Sequence, residues 1–96
     1  MTPLDFTGFL EDIDELYGIH GVIVECTMFY DVNRPVACFK IYRTNIKGKK
    51  YRVYERRFEM NQMKRLEIIR EIDMALKIIY AEIIEEKQYD LACTWS

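Results

Sequence analysis

The chain has 96 residues, half of them hydrophobic, with four glycines, two prolines and a formal net charge of −2. That length suits one domain with one core, and the apolar content is too high for a disordered segment. No run approaches the roughly 18 consecutive apolar residues of a membrane span, and no charged then apolar leader opens the sequence, so a cytoplasmic protein with no membrane partner is expected.

The first element is a helix. Thr2-Pro3-Leu4-Asp5 offers a capping threonine, a proline for the first helical position and an acid two residues on. Phe6, Phe9, Leu10, Ile13, Leu16 and Tyr17 follow with a 3.6-residue period, and Gly18 is placed to end the run. The opposite face carries Glu11, Asp12, Asp14 and Glu15, a row of carboxylates with no base before His20.

Beyond the Gly18–Gly21 break, Val22 to Tyr30 is β-branched and aromatic on both faces, which predicts a strand that is central or covered on both sides. Asp31-Val32-Asn33-Arg34-Pro35 has turn chemistry. In the second strand Ala37, Phe39 and Ile41 share one face and Cys38, Lys40 and Tyr42 the other; the first set is expected to face the core. The third strand conflicts with itself. Tyr51 and Val53 fit an inner face at its start, Tyr54 and Phe58 at its end, and a bulge near Tyr54 to Arg56 would reconcile them.

From Asn61 the pattern is helical with no glycine or proline to the last residue. Residues 62–87 would span about 39 Å against about 30 Å for a nine-residue strand, so the helix is expected to overhang the sheet. Leu66, Ile69, Ile72, Leu76, Ile79 and Ile83 form its core stripe, and Ile68, Ala75, Ile78 and Ile84 widen it, either for core contact with the first helix or as a candidate dimer or partner surface. In the tail, Tyr89, Leu91 and Trp95 suggest docking onto the domain or a second subunit. The fold class is therefore α+β: a three-stranded antiparallel meander with an N-terminal helix and a long C-terminal helix, in the order α-β-β-β-α, as one domain over residues 1–96.

Charge is unevenly distributed. Between Arg34 and Arg57 nine bases face the single acid Glu55, a local excess of about +8, which leaves about −10 on the rest. If the hairpin 36–58 presents Lys40, Tyr42, Arg52, Tyr54 and Arg56 outward, with Arg43 and Arg57 beside them and Lys47, Lys49 and Lys50 in the loop, cations alternate with aromatic rings as in surfaces that hold phosphates and stack bases. The acidic helix is the complementary candidate, since a rigid row of carboxylates can fill a basic groove.

No catalytic arrangement accompanies these surfaces. Asp12 with Glu15, and Glu67 with Glu71, lie one turn apart as on many solvated helices, and no GxSxG, HExxH, GxxxxGK[ST] or GxGxxG is present. Cys26, Cys38 and Cys93 form no CxxC pair and have one histidine to share, so reduced thiols are expected and neither a metal nor another cofactor.

The order of elements resembles the double-stranded-RNA-binding domain. That family's phosphate contacts come from a lysine-rich start of the last helix and a Gly-Pro-x-His loop. Here the last helix opens Asn61-Gln62-Met63-Lys64-Arg65-Leu66-Glu67 and the loop reads Asp31-Val32-Asn33-Arg34-Pro35, so no binding residue carries over. In size and charge the chain is similar to small phage-encoded inhibitors such as anti-CRISPR proteins, and to some toxin-immunity proteins. The expected function is a non-enzymatic interaction protein of phage or mobile-element type that binds, and in that way can inhibit, a macromolecular partner, protein sooner than nucleic acid. The alternative is a nucleic-acid-binding domain using the hairpin.

Overall fold

The computed structural model describes residues 6–95, with side chains placed through residue 88. The capping segment Thr2 to Asp5 lies outside the described residues, as do the side chains of Tyr89, Leu91, Cys93 and Trp95. The element order is α1 (Thr7–Tyr17), a 3-10 turn (Gly18–His20), β1 (Val22–Asp31), β2 (Arg34–Thr44), β3 (Lys50–Glu59) and α2 (Arg65–Trp95). The three strands make one antiparallel sheet in the order β1-β2-β3, the expected α+β meander.

Helix α1 starts without a side-chain cap at Phe6, and its end differs from the simple glycine stop. Gly18 keeps right-handed geometry and the chain tightens into the 3-10 turn; the left-handed residue is Gly21, at φ 76°. The Gly21 carbonyl accepts a hydrogen bond from the Thr44 amide, which ties the end of this turn to the far end of β2.

Strands β1 and β2 meet in a two-residue turn, with Asp31 paired to Arg34 and both central residues at positive φ, Val32 at 49° and Asn33 at 63°. This hand matches strand twist. Asparagine tolerates it, whereas a β-branched residue there is strained by about 1–2 kcal/mol. The Val32→Asn substitution is therefore expected to raise stability by about 1 kcal/mol, read as a higher thermal midpoint; a lower midpoint would contradict the strain.

The alternation in β2 sets the layers. Ala37, Phe39 and Ile41 are completely buried, and Phe39 meets the rings of Phe6 and Phe58 edge-on at 5.2 and 5.9 Å. Ile13 of α1 and Ile68, Ile72, Leu76, Ile79 and Ile83 of α2 join the same cluster. Both helices thus cover one face of the sheet, and they touch each other where Tyr80 meets Tyr17 and His20. Among the described residues the other face carries no helix. There Val36 and Cys38 are nonetheless buried, because Arg57 lies 5.6 Å over the Phe29 ring and the pairings Phe29–Val36 and Cys38–Arg57 put that contact across β2.

Helix α2 outruns the sheet as its length required. Its 31 residues span about 46 Å, and the molecule is 57 Å along its longest axis. A salt bridge from Arg43 to Glu86 ties the helix to the end of β2 nine residues before its last turn ends at Trp95.

Candidate functional site

The hairpin's surface is decided by one bulge. Ile41 pairs with Tyr54 but Tyr42 pairs with Arg52, so Val53 is the extra residue, slightly before the expected Tyr54–Arg56 position. Paired residues share a face. Lys40, Tyr42 and Arg52 consequently lie on the open face, as expected, while Tyr54 and Arg56 turn to the helix face. Tyr54 packs against the core, and Arg56 sits 4.9 Å over the Phe58 ring and binds Glu71 of α2. Arg43 also falls on the helix side, through Glu86. The continuous outward row of cations and rings is therefore split in two.

The cations that do face outward are interleaved with acids. Lys50 bonds Glu25 at 3.0 Å and lies 4.5 Å over Tyr42; Lys40 and Arg52 share Glu55 at 3.7 and 3.4 Å, and Arg34 meets Glu59 at 3.2 Å. The Lys50 bond is the main reason the Glu25 carboxyl is held below its ordinary range, and Arg43 does the same for Glu86. These are exposed pairs and stabilise little individually. Their consequence is electrostatic. Six of the nine hairpin bases are ion-paired within the molecule, to five carboxylates, and Arg57 is laid over Phe29.

Lys47 and Lys49 differ. Among the described residues neither side chain has an ion-pair partner, and both stand on a tight turn where their amides donate to Asn45 Oδ1 at 2.9 and 3.0 Å. The Gly48 amide closes the turn on the Asn45 carbonyl, with Gly48 at φ 80°. Between them Ile46 is fully exposed. Sequence reading missed Ile46; its only signal is an isoleucine inside an otherwise polar loop.

Glu11, Asp12, Asp14 and Glu15 are all exposed on α1, and among the described residues none forms a salt bridge. The hairpin's cations pair with α2 and with acids of the sheet instead, so α1 is left as an uncompensated anionic ridge. Leu16 and Ile19, both strongly exposed, continue it toward the hairpin end, with Leu16 one turn beyond Asp12.

The predicted dimer surface on α2 does not survive as a unit. Ile68 is fully buried, because the core arc of α2 has to meet both the sheet and α1, and Ala75 and Ile84 are half-buried. Only Ile78 is open, at 61%, on a face it shares with Leu66 and Met74.

The cysteines are divided between the layers. Cys26 pairs with Phe39 and Cys38 with Thr27, on opposite faces of the sheet, and burial above all pushes the Cys26 thiol up to about 11. His20 packs its ring on Tyr80 and is not placed beside either thiol. Among the described residues no three His, Cys, Asp or Glu side chains converge as a metal site, and no helix is long and apolar enough to cross a membrane.

These features define a two-layer α+β domain with one open, ion-paired sheet face and one acidic helix. Compared with protein-family models, curated proteins and solved structures, the chain matches none.

Proposed function

We propose that the protein is a non-enzymatic interaction module that binds a basic surface on a protein partner through α1 and acts by occupying that surface, the behaviour of a small inhibitor of phage or mobile-element type. One observation carries this reading. Glu11, Asp12, Asp14 and Glu15 have no salt-bridge partner among the described residues, while most of the hairpin's cations do. A row of free carboxylates on a rigid helix attracts arginines and lysines at long range. Leu16 and Ile19 add the apolar contact that such an interface needs at its centre.

The Asp12→Lys, Glu15→Lys double variant is expected to lose a partner that the wild type retains on affinity capture with mass spectrometry, with its circular dichroism unchanged. An identical set of captured proteins from the two would contradict the reading.

A second reading, nucleic-acid binding by the hairpin, rests on Lys47 and Lys49 at its tip. Two phosphate contacts give a shallow salt dependence, a slope near −2 on duplex DNA, in place of the steeper dependence that a full face of cations would produce.

A further inference from the structure

The two edges of the sheet are built differently. Strand β3 is protected in the ways edge strands usually are, with Lys50, Arg52, Arg56 and Arg57 along it and a bulge at Val53. Strand β1 has none of this. Its ten residues contain no lysine, arginine or proline, and its pairing with β2 runs from Val22–Arg43 to Asp31–Arg34 without a shift.

The direction of the free backbone groups follows from one bond. The Gly21 carbonyl points to Thr44 of β2, and alternation along an antiparallel strand then aims Ile23, Glu25, Thr27 and Phe29 at β2 and Val22, Val24, Cys26, Met28 and Tyr30 away from it. Among the described residues nothing meets those outward amides and carbonyls. Met28 and Tyr30 are 47% and 79% exposed, although both lie on the face that the helices cover elsewhere.

The geometry points to β1 as a strand-addition edge whose occupant is the β1 of a second copy, joined antiparallel into a six-stranded sheet. A two-fold axis normal to the sheet keeps like faces together only when it passes through a residue. Centred on Cys26, it sets Val24 against Met28 of the second copy, Val22 against Tyr30, Ile23 against Phe29, and Glu25 against Thr27. Every apolar side chain then meets an apolar one, Glu25 meets a hydroxyl, and Asp31 falls at the end of the pairing opposite Gly21. Centred on Glu25, the axis would oppose two carboxylates; centred on Thr27, it would set Glu25 against Phe29 and Ile23 against Asp31. The side chains therefore select one register, and the strand is complementary to itself.

Sedimentation velocity on the full chain from micromolar to millimolar concentration tests this. The wild type is expected to dimerise. Met28→Pro, which removes an outward amide and leaves the bonds to β2 intact, is expected to stay a folded monomer throughout. Residue 27 reads the register, since it faces Glu25 twice in the dimer. Thr27→Lys should tighten dimerisation, and Thr27→Glu should weaken it, each by several-fold to about tenfold. A wild type that is monomeric throughout would overturn the proposal, as would a dimer on which Thr27→Lys and Thr27→Glu have the same effect.

Discussion

Replacing Phe39 with alanine is expected to remove a large share of the margin that keeps this domain folded. Phe39 is completely buried at the centre of the sheet, and its ring is held edge-on between Phe6 of α1 and Phe58 of β3. It is the side chain through which the N-terminal helix, the central strand and the third strand meet. Truncating a buried phenylalanine costs about 3–5 kcal/mol, out of a total of about 5–15 kcal/mol for a domain. At about 4–8 °C per kcal/mol for a small domain, the Phe39→Ala thermal midpoint should fall by about 15 °C or more. A fall of only a few degrees would mean that α1 is not seated on the sheet through this ring.

The second large effect separates two faces of α2. Ile68→Asp places a carboxylate where Ile68 is fully buried among the core residues. An unpaired charge there is expected to cost more than about 4 kcal/mol and to leave the chain largely unfolded at neutral pH. Burial raises the folded-state pKa of such an acid above its unfolded value, so the protonated form is the one the fold accepts. The deficit accordingly shrinks as pH falls through that raised value toward the ordinary carboxylate range. Ile78→Asp, on the exposed side of the same helix, should change stability by no more than about 0.5 kcal/mol. Urea denaturation of the two variants reads both results. Equal losses would show that both faces are buried, and a loss for Ile68→Asp that varied with protein concentration would return Ile68 to a subunit interface.

The parts of the fold that could be read from the sequence are those set by local periodicity. Alternation over Ala37, Phe39 and Ile41, and the three-and-four spacing of Ile72, Leu76, Ile79 and Ile83, each fix a face without reference to anything distant, and all seven side chains are buried, whereas Leu66 and Ile69 at the start of the same predicted stripe are exposed and half-buried. Strand β3 was legible only as a conflict. Tyrosine and arginine can lie on either face of a sheet, since their apolar stems pack and their polar ends reach solvent, so the Val53 bulge showed as an inconsistency before it could be located. Ile68 could be read as core or as dimer surface for a related reason. A helix that packs on a sheet and on another helix at once has a wider buried arc than a single stripe, and the added width reads as spare surface.

The surfaces were less legible than the core because their character depends on long-range pairs. Nine bases against one acid described the hairpin correctly as a stretch of chain. Glu86 lies 43 positions from Arg43 and Glu25 lies 25 from Lys50, and no local pattern shows that these acids return to neutralise it. The same redistribution leaves Glu11, Asp12, Asp14 and Glu15 without a salt bridge among the described residues. The free edge of β1 was equally hidden, since an apolar strand reads alike whether it is central or at an edge.

The proposed function puts the binding charge of this molecule on α1 and not on the hairpin. It is tested most directly by titrating a partner recovered with the wild type against two charge-reversed variants side by side, Asp12→Lys with Glu15→Lys on the helix and Lys47→Glu with Lys49→Glu on the hairpin tip. The helix variant is expected to lose the partner and the tip variant to bind it as the wild type does. Binding that survives in the helix variant and disappears in the tip variant would contradict it.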